Sequence, residues 1–221
     1  MEQKTVLHVG CGPKNPEALP PLFRSEEWRE VRLDINPAVE PDIIGTITDM
    51  AAVADRSVDG VYSSHNLEHL YAHQVPLALA EFNRVLTDSG VALVTLPDMQ
   101  AIAAFVAEGN LEETLYISPA GPIAAIDIFW GHRPAIAAGN DFMAHRTGFT
   151  AATLGQKLLA AGFAEVQVKS DGWSLWALAF KRDAERFSLD LGTDNESADT
   201  QSLGWLGRIR RLGRLLRGQL N

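Results

Sequence analysis

Residues 6–13 of the chain, with the sequence VLHVGCGP, decide how it folds. The mostly apolar run VLHV predicts a buried strand, and this strand ends in a Gly-x-Gly turn at Gly10 and Gly12. Glycine has no side chain and tolerates positive φ, so a ligand can approach the backbone closely at such a turn. We therefore expect a binding site at the carboxyl end of this strand.

An acidic residue stands at the end of the next predicted strand, where the chain reads Leu33-Asp34-Ile35. In open α/β sheets, a carboxylate in this place accepts hydrogen bonds from the hydroxyl groups of a ribose. The glycine turn and Asp34 together indicate a cofactor that contains a nucleoside. Residues 13–16 (PKNP) supply no third glycine, so the G-x-G-x-x-G fingerprint is incomplete and a nicotinamide-dependent oxidoreductase is disfavoured.

Three further segments follow in order: residues 48–50 (TDM), 57–70 (SVDGVYSSHNLEHL) and 81–90 (EFNRVLTDSG). With residues 6–13 and Asp34, they resemble the class I S-adenosylmethionine (SAM)-dependent methyltransferases, and the SSHNLEHL segment is most similar to the methyltransferase type 11 group. The resemblance covers residues 4–100 and, more loosely, residues 148–180. It implies SAM as the cofactor and a Rossmann-like fold with a seven-stranded, mainly parallel sheet whose last strand is antiparallel.

Strand and helix signals alternate along the chain, which favours an α/β fold with a mainly parallel sheet and helices on both faces. Strands are predicted at residues 5–9, 30–34, 42–44, 60–62, 91–96, 165–169 and 175–180. Helices are predicted at residues 50–54, 68–73, 75–86, 100–107 and 151–161. The last helix has the clearest boundaries, since Thr150 can cap its start and Gly162 can end it.

Two segments interrupt this alternation and define the predicted domain organisation. Residues 108–148 are too long for a simple connection and contain several aromatic residues, so we predict a substrate lid inserted between the fifth and sixth strands. Residues 183–204 are polar and acidic and are predicted to form a linker. The methyltransferase domain is thus expected to span residues 1–182, with a basic amphipathic helix at residues 205–221.

The predicted C-terminal helix has one narrow apolar face, formed by Trp205, Ile209, Leu212, Leu216 and Leu220. Its five arginines occupy the rest of the surface. Two interpretations remain open. Either the apolar face docks on the domain or on a second copy of the chain, giving a homodimer, or the helix makes a peripheral contact with a membrane surface.

Charge limits the classes of partner. The chain of 221 residues carries a net charge of −9, and because residues 205–221 carry +5, residues 1–204 carry −14. Such an acidic body argues against nucleic acid as a partner, since nucleic-acid binding relies on basic patches. A small-molecule substrate is favoured, with a sugar or a lipid-linked glycan as one class.

Apolar runs and cysteine content give further limits. No run of about 18 apolar residues is present, and the first predicted strand starts too near the N-terminus to leave room for a secretory signal, so we expect a cytoplasmic protein. The single cysteine, Cys11, excludes an internal disulfide and a multi-cysteine zinc site. Because Cys11 lies within the glycine turn, we interpret it as a small residue that fits there and not as a nucleophile.

The resemblance implies a set of cofactor contacts at the ends of the first strands. The residues are Gly10, Cys11, Gly12, Asp34, Ile35, Asp49, Met50, Ser64 and His65. The turn would meet the methionine part of SAM, Asp34 the ribose, and Asp49 with Met50 the adenine. Asp49 has two alternatives: it caps a following helix, or the adenine contact lies earlier, at Thr46 and Ile47.

Residues 65–73 contain three histidines that would share one surface if this segment were helical. His65, His69 and His73 are spaced at i, i+4 and i+8, and Glu68 lies beside them. A metal site is one interpretation, but the segment lacks an H-E-x-x-H pattern, and we expect no metal. The resemblance instead places His65 beside the methyl donor, with Glu68 and His69 holding the loop by hydrogen bonds to backbone.

Methyl transfer from a sulfonium is an in-line displacement, which needs a nucleophile held in near-attack geometry. A hydroxyl nucleophile also benefits from a base, and histidine titrates near neutral pH, so His65 and His145 are the candidate catalytic residues. Candidate substrate-binding residues are Asp98, Trp130, His132, Arg133 and Arg146. The two arginines also have a simpler interpretation, as partners of the acidic body.

The predicted function is therefore methyl transfer from SAM to an oxygen or nitrogen of a small molecule. The alternative is a non-catalytic protein of the same fold that binds SAM or regulates a partner. A cofactor set that lies beside a segment rich in polar groups favours the enzyme.

Overall fold

The computed structural model describes residues 3–15, 17–118 and 120–189 of the chain. Its strands and α-helices are β1 (Lys4–Val9), β2 (Trp28–Asp34), β3 (Ile43–Ile44), β4 (Val58–Ser64), α1 (Val75–Val85), β5 (Leu86–Pro97), α2 (Met99–Ala107), β6 (Thr114–Ser118), β7 (Gly121–Ala124), α3 (Ala125–Trp130), α4 (Arg133–Ala137), α5 (Ala151–Ala160), β8 (Glu165–Ser170) and β9 (Ser174–Phe180). Short 3-10 helices lie at Pro21–Phe23, Pro37–Val39, Leu67–His69 and Asp141–Met143.

Seven of the strands form one sheet in the order β3-β2-β1-β4-β5-β9-β8. Strands β1 to β5 are parallel to one another in this sheet, and β9 runs antiparallel between β5 and β8. The predicted α/β fold, its seven-stranded mainly parallel sheet and its antiparallel last strand are confirmed. The chain order of the strands reverses beside β1, and open α/β sheets bind ligands outside the carboxyl ends of their strands at such a point.

Helices α1 and α5 cover one face of the sheet. Their buried residues are Val75, Ala78, Leu79, Phe82, Val85, Leu154 and Leu158. These residues recur every three or four positions, so one apolar stripe of each helix faces the strands. Thr150 caps α5 by accepting a hydrogen bond from the N–H of Thr153 at 3.3 Å, and Gly162 follows its end with φ +96°, so both predicted boundary signals are confirmed.

The other face of the sheet packs against less regular structure. The 3-10 helix Pro21–Phe23 and residues 184–189 cover the side chains of Val6, Tyr62 and Leu178 there. Phe23 contributes an aromatic ring that meets Trp28 edge-on at 4.8 Å between centroids. Within the described residues, a short 3-10 helix thus takes the place of an α-helix on this face.

The predicted helix at residues 50–54 does not form, and residues of α1 explain why. The carboxylate of Glu81 accepts a hydrogen bond from the N–H of Met50 at 2.6 Å. The guanidinium of Arg84 donates to the carbonyls of Met50 and Val53 at 2.9 and 3.0 Å. Because these side chains satisfy the backbone groups, the segment needs no helical hydrogen bonds of its own.

The predicted helix at residues 68–73 is reduced to the 3-10 helix Leu67–His69. The carbonyl of Glu68 accepts hydrogen bonds from the N–H groups of Arg146 and Thr147 at 2.7 and 3.2 Å, which replaces the helical partner four residues on. His65, His69 and His73 therefore do not share a helix face. That expectation was wrong, because the N–H groups of Arg146 and Thr147 bind the Glu68 carbonyl in place of a helical partner.

The segment predicted as a lid, residues 108–148, is called the insertion below, and its described residues, 108–118 and 120–148, are folded. It holds the β6–β7 hairpin, α3 and α4, and it lies between β5 and β8, together with α2 before it and α5 after it. Its small apolar core centres on Ile102 of α2, Ile123 and Ile128. Movement of the insertion as a lid stays a prediction.

Residues 183–189 of the predicted linker are described, whereas its remainder and the predicted basic helix at 205–221 lie outside the described residues. In the part of the chain that the structure covers, no helix has the length and apolar character needed to cross a membrane. The cytoplasmic location stays a prediction.

Candidate active site

A cleft of about 910 Å³ lies at the carboxyl ends of β1, β2 and β4. Its volume is in the range of small-molecule sites. One side is formed by the glycine turn and the residues after β2, including Asp34. The opposite side is formed by the insertion, including Tyr116, His132 and His145. The cleft therefore joins the predicted cofactor residues to the inserted segment.

The glycine turn needs glycine at both positions for different reasons. Gly10 has φ +57°, and a Cβ there would lie 1.9 Å from Oδ1 of Asn66. The Asn66 amide is held in this place because it donates a hydrogen bond to the carbonyl of Val9 at 2.8 Å. Gly12 has φ +59°, with no atom within 4 Å of its Cβ position, so a ligand can lie directly against its backbone.

Asp34 is buried at the cleft wall, and both of its carboxylate oxygens are oriented by backbone. Oδ2 accepts a hydrogen bond from the N–H of Gly12 and Oδ1 from the N–H of Asn36, each at 2.9 Å. The buried guanidinium of Arg32 donates to the carbonyls of Gly12 and Val39. The loops after β1 and β2 are thus fastened together around a carboxylate that keeps further lone pairs for a ligand.

Cys11 lies between the two glycines and lines the cleft with 7% of its surface exposed. Burial raises the pKa of its thiol to about 11. The thiol is therefore protonated at neutral pH and a poor nucleophile.

The predicted adenine contacts separate in the structure. Asp49 is exposed, outside the cleft, and its Oδ1 accepts a hydrogen bond from the N–H of Ala51 at 3.2 Å. Met50 is buried in the core beneath α1. Thr46 and Ile47 line the cleft instead, as does the half-exposed side chain of Ile35.

Four residues that line the cleft form an acid–imidazole cluster, namely His65, Glu68, His69 and His145. The Glu68 side chain is 2% exposed, and its Oε1 lies 3.1 Å from Nδ1 of His65. The rings of His69 and His145 meet edge-on with centroids 4.9 Å apart. His73 lies apart from the cluster and stacks on Tyr71.

The cluster keeps Glu68 ionised. Burial by itself would raise the pKa of Glu68, but the hydrogen bond with His65 and the nearby imidazoles of His69 and His145 lower it to about 2. Burial lowers the pKa of His145 against the opposing effect of the Glu68 charge. The carboxylate thus carries a negative charge in a largely dehydrated place.

His65 has a strained backbone at the mouth of this cluster. Its φ is +51°, an unusual value for a residue other than glycine, and its N–H donates to the carbonyl of Thr95 at 2.9 Å. Such strain is found at functional sites, where the surrounding structure holds it. Ser64 precedes it at the end of β4 and also lines the cleft.

The predicted substrate residues divide into two groups. His132 and Arg146 line the cleft, and the Arg146 guanidinium lies 5.1 Å from the ring centroid of Tyr71. Trp130, Arg133 and Asp98 do not line it.

Each residue of the second group has another environment. Trp130 is 59% exposed at the surface of the insertion. Arg133 forms ion pairs with Asp127 and Glu112 at 2.7 and 3.0 Å. Asp98 caps α2, where it accepts a hydrogen bond from the N–H of Gln100 at 3.0 Å.

The family model of the methyltransferase domain matches residues 7–94 of the chain. By this match the chain contains a methyltransferase domain. SAM is the cofactor of such domains, and the matched residues include the glycine turn, Asp34 and the Glu68 segment. No curated protein matches the chain in sequence.

Solved structures agree with the methyltransferase domain in fold. A SAM-dependent methyltransferase of Archaeoglobus fulgidus is 15% identical, covers 81% of this chain and 86% of its own, and has a TM-score of 0.52. A SAM-dependent methyltransferase of Thermotoga maritima is 14% identical, with 82% and 84% covered and a TM-score of 0.52. A protein of Pyrococcus horikoshii is 12% identical, with 82% and 83% covered and a TM-score of 0.53. At these identities the likeness concerns the fold alone.

The cofactor side of the methyltransferase cleft fits SAM. The open backbone at Gly12 accommodates a closely packed ligand, and the fixed carboxylate of Asp34 can accept hydrogen bonds from ribose hydroxyls. Ile35 exposes half of its surface there, which offers an apolar contact for a base. These features stand together on one wall of the cleft.

Several cleft residues of the methyltransferase were not predicted from sequence, among them Asn66, Tyr71, Tyr116 and Trp173. Asn66 carried a signal, because it belongs to the SSHNLEHL segment and follows a strand end. Tyr116 and Trp173 carried none, since only the packing of the insertion against the sheet brings them to the cleft.

Proposed function

We propose that this methyltransferase transfers the methyl group of SAM to an oxygen or nitrogen of a small molecule that binds between the strand ends and the insertion. One observation carries the proposal: a single continuous cleft is lined by the glycine turn and Asp34 on one side and by the insertion on the other. SAM supplies an electrophilic methyl group on a sulfonium. The protein has to hold the acceptor in line with it and exclude water.

On the cofactor side, the roles follow from backbone and burial. The turn formed by Gly10, Cys11 and Gly12 would hold the amino-acid part of SAM, and Asp34 would hold the ribose. The adenine would lie between Ile35 and Thr46 with Ile47, and no longer beside Asp49. This assignment is supported by the residues that line the cleft after β2 and β3.

On the acceptor side, aromatic surface alternates with hydrogen-bonding groups. Tyr116, Phe142 and Trp173 line this part of the cleft together with His132 and Asn140. Flat apolar rings beside polar groups suit a molecule that has both apolar and hydroxyl-bearing faces, such as a sugar or a lipid-linked glycan.

His65 and His145 would stand where the acceptor meets the methyl donor. His65 lies at the end of β4, next to Ser64, and His145 enters from the insertion. Arg146 and His132 stay candidates for acceptor contact, because both line the cleft. Trp130, Arg133 and Asp98 are omitted from the proposed acceptor site because each is engaged or placed elsewhere.

The proposal is tested by binding and by product formation. Calorimetry is done in parallel with S-adenosylhomocysteine and with NAD, and only the former is expected to bind. The full chain is then incubated with a cell extract and isotopically labelled SAM, and labelled small molecules are sought by mass shift. Binding of S-adenosylhomocysteine without any labelled product would favour the non-catalytic alternative, and binding of NAD alone would contradict the cofactor.

A further inference from the structure

Against the expectation from the sequence, we propose that Glu68, His69 and His145 bind one divalent transition-metal ion at the acceptor end of the cleft. One potential ligand atom from each of these residues lies within 4.8 Å of the other two. Glu68 and His69 come from the turn after β4, and His145 comes from the insertion. The site therefore exists only because the fold joins two distant segments.

The hydrogen bonds of the two imidazoles fix them in the form that a metal requires. Nδ1 of His69 lies 3.2 Å from the carbonyl of Ala144, and Nδ1 of His145 lies 2.7 Å from the carbonyl of Ile128. A carbonyl oxygen only accepts, so each Nδ1 donates, which leaves Nε2 of each ring as the atom that can bind a metal. A metal-binding histidine almost always donates its other ring N–H in this way.

Glu68 supplies an oxygen that nothing else in the described residues satisfies. Its Oε1 is engaged by His65, but its Oε2 is buried and has no hydrogen-bond partner. A buried acceptor left without a partner is costly, so native structures rarely tolerate one without a bound group. A cation held between Oε2 and the two imidazoles would satisfy this oxygen, with His65 orienting the carboxylate from behind.

The donor set selects the class of ion. Two imidazole nitrogens and one carboxylate are typical of Zn²⁺ and of non-heme Fe²⁺, whereas Mg²⁺ and Ca²⁺ prefer oxygen ligands. Three protein ligands leave a coordination position open, as in catalytic rather than structural zinc sites. All three residues line the cleft, so the open position can take an acceptor oxygen. This role in acceptor binding rests on the proposed function, whereas the binding of the ion does not.

The test measures the metal itself on the full chain. The protein is stripped with a chelator and dialysed, and its fold is checked by thermal unfolding and by binding of S-adenosylhomocysteine. Zn²⁺ affinity is then measured in competition with a chromogenic chelator, and the visible spectrum is recorded on addition of Co²⁺. We expect one bound ion per chain, a visible Co²⁺ band, and a higher unfolding temperature with Zn²⁺ present.

Variants show whether the three residues hold the ion. His145→Ala and His69→Ala are each expected to weaken Zn²⁺ binding by at least about 100-fold, since loss of even an outer partner costs 10–100-fold. Glu68→Gln is expected to do the same; if it fails to fold, the two histidine variants decide the outcome. The control is His73→Ala, because His73 is exposed and stacks on Tyr71 outside the cluster.

Equal Zn²⁺ affinity in the parent and in His145→Ala would overturn the proposal, as would the absence of a bound ion in the stripped and reloaded protein. The titrations contain neither SAM nor acceptor. A failure of the metal site therefore leaves the proposed methyl transfer intact, and a protein that binds Zn²⁺ but forms no labelled product contradicts the proposed function alone.

Discussion

The carboxylate of Asp34 accepts a hydrogen bond from the backbone N–H of Gly12 at 2.9 Å, which joins the end of β2 to the turn after β1. The two loops that face the cofactor side of the cleft are therefore one unit. A change at Asp34 removes a ligand contact and also releases the turn against which the ligand packs.

We predict that Asp34→Ala weakens binding of S-adenosylhomocysteine by about 1.5–3 kcal/mol, because a charged acceptor shared by two ribose hydroxyls is lost. Isothermal titration calorimetry measures the change. The matched control is Asp49→Ala, an exposed aspartate outside the cleft that is expected to leave the affinity unchanged. Equal affinities of parent and Asp34→Ala would show that the ribose is held elsewhere.

A second prediction concerns Gly10 and Gly12, which share a positive φ but differ in their surroundings. Gly12→Ala should lower the free energy of unfolding by about 1–2 kcal/mol, the cost of a left-handed backbone for a residue with Cβ. Gly10→Ala should cost more, because its Cβ would also overlap the Asn66 amide at 1.9 Å. Urea unfolding measures both variants.

Asn66→Ala provides the control for this pair. In the double variant with Gly10→Ala the overlap is absent, so part of the lost stability should return relative to the two single changes. If Gly10→Ala is no more destabilising than Gly12→Ala, the Asn66 side chain does not constrain the turn.

Features that depend on local pattern could be predicted from the sequence. The strand before Gly10, the acidic strand end at Asp34 and the boundaries of α5 at Thr150 and Gly162 all follow from neighbouring residues, and the structure has them where the sequence put them. A β-strand with a glycine turn needs no distant partner to be recognised.

Features that depend on hydrogen bonds from residues distant in the sequence could not be predicted. The helix at residues 50–54 is absent because Glu81 and Arg84 bind its backbone groups from α1. The prediction that His73 lies with His65 and His69 was wrong for a similar reason. The i, i+4, i+8 spacing pointed to His73, whereas the bonds from the insertion to the Glu68 carbonyl unwind the helix and bring in His145.

Cys11 gives a prediction about pH. Burial raises the pKa of its thiol to about 11, so the reactive thiolate is scarce at pH 7–9 and becomes more abundant as the pH approaches 11. Alkylation by iodoacetamide should therefore be slow near neutrality and should keep accelerating above the pH at which an ordinary thiol reaches its plateau. S-adenosylhomocysteine should slow it further, because Cys11 lines the cleft.

Mass spectrometry measures this reaction without ambiguity, since the chain has one cysteine. The unfolded protein in urea is the control and should react as a free thiol does. Rapid labelling of the folded protein at neutral pH that the ligand does not change would place Cys11 outside the cofactor site.

Removal of residues 205–221 should leave binding of S-adenosylhomocysteine intact. Residues 3–189 already contain the seven-stranded sheet, its two core clusters and the cleft. The sequence of the removed segment has an apolar face, so the truncated chain should lose thermal stability or change its mass in solution if that face docks on protein. Loss of cofactor binding would mean that the segment completes the site.

A membrane contact would give a different result in the same experiment. The full chain, but not the truncated one, would then sediment with anionic vesicles in a salt-sensitive manner, since each arginine near such a surface contributes about 1 kcal/mol. Sedimentation with neutral vesicles is the control. We expect docking on protein, and therefore no sedimentation.

His145 connects the insertion to the acid–imidazole cluster, and its replacement should separate turnover from cofactor binding. His145→Ala is predicted to lower turnover on the acceptor at least about 10-fold, equivalent to about 1.4 kcal/mol of transition-state stabilisation. The dissociation constant for S-adenosylhomocysteine should stay within about twofold of the parent value, a difference of under 0.5 kcal/mol. The physical reason is position, because His145 enters the cleft from the insertion, whereas Gly12 and Asp34 form the opposite wall. His73→Ala is the matched control and should change neither quantity, since that imidazole is exposed and stacks on Tyr71. If His145→Ala weakens cofactor binding as much as it slows turnover, the imidazole contacts SAM, and the acceptor must lie elsewhere in the cleft.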